Sequence, residues 1–284
     1  MPRIAYVNGA YSRLADASTN IEDRGYQFSD GVYEVCLVVD GKYWDMAGHI
    51  ARLWRSLEAL SIRKPIGDGA LKIIMAKVLR LNKLRDALVY IQVSRGVAPR
   101  NHPFPDAADP TLVVTARPFD LAKSNATAGK GVALVTQPDI RWGRVDVKSV
   151  SLLPNVLAKQ AAKRVGAAEA LLIKDGKVTE GASSNAWILT AEGVLVTHPL
   201  GHEILGGITR QTTLDRAREL QIPIEERAFT LAEAHEAQEV FITSATNIVT
   251  PVVRIDDHIV GDGAPGPVAL RLREAYIDFS RRDA

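Results

Sequence analysis

Lys148 lies in the stretch Asp-Val-Lys-Ser-Val-Ser-Leu-Leu-Pro-Asn-Val-Leu-Ala-Lys-Gln, residues 146–160. Val145 and Val147 alternate with Asp146 and Lys148, the period of a strand with one buried face. Pro154 stops that strand, and Asn155 is placed to cap a short helix through Val156, Leu157 and Gln160. A lysine near a strand end, just before a turn, can hold a carbonyl compound as a Schiff base if its surroundings keep the amine unprotonated. A solvated lysine on an exposed strand face is the plainer reading of the same local pattern.

Other stretches carry complementary chemistry. Gly206-Gly207-Ile208-Thr209 opens a helix. Two glycines allow close backbone approach, and the amides of Ile208 and Thr209 point out of the helix start, which makes a phosphate site; a glycine turn with Thr209 as an N-cap is the alternative. Glu180-Gly181-Ala182-Ser183-Ser184-Asn185 turns sharply after a strand and can present one carboxylate and several hydroxyls, or be a serine-rich loop. Arg52 falls beside the apolar stripe of its helix, where it can snorkel to solvent or reach a buried anion. Arg100 and His102, two apart in a proline-stiffened loop, could grip a carboxylate or be solvated. An amine nucleophile, a phosphate cradle, a carboxylate and a second anion clamp together suit a pyridoxal-phosphate enzyme acting on an amino acid.

Rival chemistries fit less well. His235-Glu236 lacks the second histidine of a zinc-protease helix and reads as a surface helix. Pro199 and Gly201 break the helix that would align His198 with His202, so no metal is expected. Residues 201–209 lack the lysine of a P-loop. The single cysteine, Cys36, sits in an apolar run and reads as a buried inert thiol in a reducing cytosol. A net charge of +2 argues against nucleic acid as partner. The amino-terminal residues lack a signal-peptide pattern, and no apolar run is long enough to span a membrane. A cytoplasmic soluble protein is the expectation.

The elements that must position these groups alternate along the 284 residues. Residues 33–39 read as a strand ending in an Asp40-Gly41 hairpin turn, 46–60 as an amphipathic helix and 71–78 as a second. Strands are expected at 87–94, 111–116, 132–136, 170–173, 186–189, 194–197, 239–243 and 248–255, with helices at 209–220 and 267–281. Asp175-Gly176 and Glu192-Gly193 mark antiparallel hairpins. The small, polar, pattern-free run 121–130 reads as a linker between a smaller N-terminal domain, 1–120, and a larger C-terminal domain, 131–284, that carries Lys148. The fold class is mixed α/β with much antiparallel sheet, not a regular Rossmann alternation.

The sequence also resembles a known family. Glu22-Asp23-Arg24-Gly25-Tyr26-Gln27-Phe28-Ser29-Asp30-Gly31-Val32-Tyr33-Glu34 is similar to the opening signature of the fold-type IV pyridoxal-phosphate enzymes, the branched-chain aminotransferase-like superfamily. His49-Ile50-Ala51-Arg52-Leu53, the Lys148 stretch, residues 178–185 and Gly207-Ile208-Thr209-Arg210 match as well, so the resemblance spans nearly the whole chain. Tyr90-Ile91-Gln92-Val93-Ser94-Arg95-Gly96 followed by Pro99-Arg100-Asn101-His102 looks most like the D-amino acid aminotransferase family.

The resemblance implies two domains with the active site between them, pyridoxal 5'-phosphate as cofactor, and a ping-pong exchange of an amino group between a D-amino acid and a 2-oxo acid such as 2-oxoglutarate or pyruvate. It implies that Lys148 holds the cofactor and moves the proton, and that Glu180 keeps the pyridine nitrogen protonated. Arg52 and the amides of Ile208 and Thr209 would bind the phosphate, with Ser244 and Ala245 beside them, and Leu205 would pack near the ring. Tyr33 would line the substrate side, with Arg100 and His102 as a carboxylate trap supplied across a homodimer interface. One departure stands at Ala245, where the family usually offers a threonine hydroxyl to the phosphate; the Ala245 amide or Thr246 could serve instead. The alternatives on the same fold are a branched-chain L-aminotransferase, an aminodeoxychorismate lyase, an R-selective amine transaminase, and a pyridoxal-phosphate binder without turnover.

Overall fold

A computed structural model of the chain describes residues 3–283; Met1, Pro2 and Ala284, at the outer ends of the two expected domains, lie outside the described residues. The chain divides into two compact units, one of residues up to Asp120 with Val147–Ser151, the other of Leu121–Asp146 and Leu152–Asp283.

In the first unit the order is β1 (Ile4–Val7), β2 (Ala10–Arg13), α1 (Arg24–Phe28), β3 (Gly31–Val39), β4 (Lys42–Tyr43), α2 (Met46–Ala59), α3 (Asp68–Asn82), β5 (Ala87–Ser94) and β6 (Thr111–Pro118). The strands form one six-stranded sheet, β2-β1-β6-β5-β3-β4, in which every neighbour is antiparallel. Strand β3 alternates as its sequence requires: Val32, Glu34, Cys36 and Val38 are buried, while Tyr33 and Val35 are half-exposed. The apolar members of that set, Val32, Cys36 and Val38, pack with Ile50, Leu53 and Leu57 of α2 and with Leu71, Met75 and Val78 of α3. Each such apolar side chain contributes about 1.5–3 kcal/mol on leaving water. Asp40 and Gly41 both take positive φ, 53° and 80°, which makes the expected hairpin turn.

The second unit runs α4 (Leu121–Ala128), β7 (Val132–Pro138), α5 (Leu153–Arg164), β8 (Glu169–Lys174), β9 (Lys177–Gly181), β10 (Asn185–Leu189), β11 (Leu195–Thr197), α6 (Ile208–Glu219), β12 (Ile224–Glu226), β13 (Phe229–Thr230), α7 (Leu231–Glu236), β14 (Glu239–Ser244), β15 (Ile248–Ile255), β16 (His258–Ile259) and α8 (Pro267–Asp283). Its sheet follows β12-β11-β10-β14-β15-β7-β8-β9-β13, with β16 paired to β15. The β15–β7–β8 centre is parallel and the hairpins β8–β9 and β10–β11 are antiparallel, as their Asp-Gly and Glu-Gly turns anticipate. None of the described helices is long and apolar enough to cross a membrane.

Four local expectations are corrected. Residues 121–130, expected as a pattern-free linker, carry a helix: α4 occupies Leu121–Ala128, and Arg273 of α8 donates to Ser124 Oγ and to Asn125 Oδ1. A helix held by polar contacts leaves little apolar period to read. Residues 145–148 pass through a turn and a bend rather than a strand, and Ser149 alone bridges to Val32. That bridge belongs to the first unit, so Lys148 is not carried by the C-terminal domain as expected. Asn155 does not cap α5: the cap position is Leu152, Pro154 sits in the first turn, and Asn155 Nδ2 donates to the Ala182 carbonyl at 2.8 Å.

Gly96 has φ +102°, and a Cβ there would overlap the Asp109 carbonyl oxygen. The Gly96→Ala variant is therefore expected to lose roughly 2–4 kcal/mol of unfolding free energy, read by urea denaturation.

Candidate active site

Helix α2 carries three polar residues at positions 49, 52 and 56, spacings of three and four that place them on one face. His49, Arg52 and Ser56 are all buried. His49 Nδ1 and Glu34 Oε2 lie 2.7 Å apart, and Arg52 donates to both Glu34 oxygens, Nε to Oε1 at 2.6 Å and Nη2 to Oε2 at 2.9 Å. Ser56 Oγ accepts from the Lys148 amide at 3.3 Å. The Lys148 carbonyl accepts from Tyr33 N, and Val150 N donates to the Gly31 carbonyl, each at 3.0 Å. A segment without regular structure is thus pinned on both sides of its lysine, by α2 and by β3. Lys148 Nζ sits 4.2 Å from the centre of the Tyr33 ring. Tyr33 in turn stacks on Tyr90 at 5.6 Å, and burial pushes the Tyr90 phenol up to about 12.

Arg52 thus reaches a buried anion, Glu34, rather than snorkelling to solvent. Burial by itself would raise the Glu34 carboxyl, but Arg52 and then His49 outweigh it and hold the group well below the usual carboxylate range. Burial likewise pushes the Cys36 thiol well up, as an inert buried cysteine requires.

A second group in the same unit surrounds Phe28. Arg100 and His102 are exposed; the Arg100 guanidinium lies 4.7 Å from the Phe28 ring centre and the His102 ring 5.5 Å from it. The two trap candidates therefore flank one aromatic ring.

In the second unit, Glu180 stands near the end of β9 and is 4% exposed. Asn185 Nδ2 donates to its Oε2 at 2.8 Å, Leu205 N donates to the same oxygen at 3.1 Å, and Arg141 pairs with its Oε1. Arg141 is itself held by Asp139, Nε to Oδ1 at 2.8 Å and Nη2 to Oδ2 at 2.6 Å, while Thr179 Oγ1 donates to Asp139 Oδ2 at 2.7 Å. Hydrogen bonds from Arg141 hold Asp139 below the usual carboxylate range although burial opposes this. The sequence reading misses Arg141 and Asp139, because a short Asp-Ile-Arg run carries no motif. Ser183 and Ser184 turn their hydroxyls to Glu169 Oε2, at 2.5 and 3.4 Å, and so are engaged within the fold.

Helix α6 starts at Ile208 with Gly207 as its N-cap and no side-chain cap; Thr209 lies inside the helix, not at its cap. A Cβ on Gly207 would overlap Asn185 Oδ1, so the turn demands glycine there. Ala245, Thr246 and Asn247 form the tight connection from the end of β14 at Ser244 to β15. Ser244 Oγ lies 3.2 Å from Thr246 Oγ1 and accepts from Asn247 N at 3.1 Å. The Thr246 hydroxyl is thereby drawn into the turn.

The depressed folded value of Glu34 fixes the sign of a pH test. Its stabilisation is fully present above the unfolded value of about 4.3 and is lost progressively as pH falls from there through the folded value. Glu34→Gln, which leaves Arg52 without its carboxylate, is expected to cost about 3 kcal/mol at neutral pH. Urea denaturation should show the gap to the parent narrowing below about pH 4.

The family model for amino-transferase class IV matches residues 31–255. A D-alanine aminotransferase of Bacillus licheniformis is 42% identical over 268 residues, covering 94% of each chain. One of Staphylococcus haemolyticus is 38% identical over 275 residues, covering 96% of each. Among solved structures, a T.th. branched-chain amino acid aminotransferase with pyridoxamine 5'-phosphate superposes with a TM-score of 0.89 at 26% identity, over 99% of this chain and 95% of the other. On the match of the family model over most of its length and on these relatives, the chain belongs to the amino-transferase class IV family.

Proposed function

We propose that this chain is a pyridoxal-phosphate-dependent D-amino acid transaminase, passing an amino group from a D-amino acid such as D-alanine to a 2-oxo acid by a ping-pong mechanism. The observation that carries this reading is the identity of about two residues in five with D-alanine aminotransferases along almost the whole chain. The branched-chain enzyme shares the fold but only 26% of its residues.

The residues fit the cofactor. Gly206 and Gly207 leave a helix start without a side-chain cap, suited to a phosphate. Glu180 is a buried carboxylate held in one orientation by Asn185, Leu205 and Arg141, suited to a cationic ring nitrogen. When bound, pyridoxal 5'-phosphate supplies an electron-sink ring and stores the amino group between the two halves of the exchange. Lys148 is the residue assigned to hold the cofactor covalently and, once released, to carry the proton away from the substrate Cα. Tyr33, whose ring lies under Lys148 Nζ, bounds the space in which that amine moves. Ile208 and Thr209 amides, Ser244 and the Ala245 amide are assigned to the phosphate, as is Arg52, whose guanidinium Glu34 holds in a fixed plane. Leu205 is assigned a place beside the ring.

Arg100 and His102 are assigned to the substrate carboxylate. With the carboxylate gripped and the proton acceptor fixed, only one enantiomer aims its Cα–H at Lys148. Both trap residues are exposed on the single chain, which supports a homodimer in which each loop serves the other copy. The unpaired, buried Cys36 supports action in the reducing cytoplasm.

Lys148→Ala is expected to keep its circular dichroism and lose at least about 1000-fold in turnover with D-alanine and 2-oxoglutarate. Retained activity contradicts the mechanism. Arg100→Ala is expected to impair D-alanine far more than a simple amine; equal losses contradict the trap assignment.

A further inference from the structure

Arg24 belongs to the opening signature, yet neither the chemistry assigned above nor the packing of the core uses it. It is 3% exposed. Its Nε donates to Asp30 Oδ2 at 2.8 Å. Its two terminal nitrogens leave that pair and cross to the distant loop, Nη1 to the Asn101 carbonyl at 2.5 Å and Nη2 to the His102 carbonyl at 3.1 Å. These are the main-chain oxygens immediately after Arg100 and at His102 itself. The same guanidinium lies 4.8 Å from the Phe28 ring centre, and Arg100 lies 4.7 Å from it. One ring therefore touches the buried arginine, the exposed arginine and the His102 imidazole.

A second tie holds the loop further along. Arg95 shares Asp30 with Arg24, Nε to Oδ2 at 2.7 Å and Nη2 to Oδ1 at 3.0 Å, and its guanidinium lies 3.6 Å from the Phe104 ring centre. Arg95 is anchored on the other side by the carbonyls of Leu60 and Ser61. Two buried guanidiniums thus meet one carboxylate. A surface loop with no task would satisfy its carbonyls with water. Burying a guanidinium to hold two of them is costly unless the position of that loop matters.

We infer that Arg24 is the positioning residue of the carboxylate trap: bound to Asp30, it fixes the main chain at Asn101 and His102, while Phe28 supplies the platform that aligns Arg100 and His102. This rests on the reading of those two residues as the grip on the substrate carboxylate. Arg24 itself touches no substrate. Its effect is entropic: an exposed arginine on a free loop must be ordered at each binding event, whereas a held loop presents it in place.

The test compares holoenzyme variants with D-alanine as substrate and propionate as a competing carboxylate. Arg24→Met is expected to raise the KM for D-alanine and the inhibition constant for propionate in parallel, by about 10- to 100-fold. The visible band of the bound cofactor should stay in place, and kcat should change less than KM. Arg24→Lys, a point charge that cannot span both carbonyls and Asp30, should recover only part of the loss. Phe28→Leu, which keeps the apolar volume and removes the shared ring face, should show the same pattern more weakly, and it decides the matter if Arg24→Met does not fold. Arg100→Ala is measured alongside. A loss of propionate affinity in Arg100→Ala with none in Arg24→Met, or with none in Phe28→Leu where that variant decides, overturns the positioning role alone. No loss in Arg100→Ala overturns the trap reading and this inference with it.

Discussion

Glu34 carries a carboxylate into the interior of the first unit, where Arg52 and His49 meet it. A charge there is tolerable only because both partners are placed to within hydrogen-bonding distance, and that requirement fixes α2 against β3. The consequence reaches Lys148. Once Arg52 and His49 are set on Glu34, the same face of α2 delivers Ser56 to the Lys148 amide, while Tyr33, the strand neighbour of Glu34, donates to the Lys148 carbonyl. Two adjacent residues of β3 therefore do opposite tasks because strand side chains alternate: Glu34 anchors the helix behind, and Tyr33 lies under the amine in front.

The second unit solves a similar problem with a different device. Glu180 is a buried carboxylate at a strand end, oriented by an amide side chain, a main-chain amide and Arg141. Arg141 is not left to pair with Glu180 alone, since Asp139 holds it in a fork with Thr179 behind. The chain of contacts from Asp139 to Arg141 to Glu180 holds the Glu180 carboxylate in a fixed direction. A ring nitrogen that must stay protonated needs an anion of that kind beside it.

How much of this could be read from the sequence follows from how local each signal is. The strands, the amphipathic helices and the Asp-Gly turns rest on spacing within a few residues, and β3, α2, β5 and β15 lie where the pattern places them. Lys148 is conspicuous as a residue, but its surroundings are not: the alternating valines beside it suggest a strand, whereas the segment is held by side-chain and bridge contacts from residues about a hundred positions away. The helix Leu121–Ala128 escapes notice because small polar residues leave no apolar period. Arg141, Asp139 and Arg24 escape for a further reason. Their partners are defined only when the chain has folded, and an arginine next to a loop looks the same whether it is solvated or spans two carbonyls.

The central claim is that these residues hold pyridoxal phosphate and pass the amino group of a D-amino acid. It is tested most directly by a single half-exchange. The purified protein loaded with pyridoxal phosphate is mixed with D-alanine and, separately, with L-leucine, and the visible band of the bound cofactor is followed. The account predicts bleaching by D-alanine alone. Bleaching by L-leucine alone would contradict it and place the protein with the branched-chain enzymes whose fold it shares.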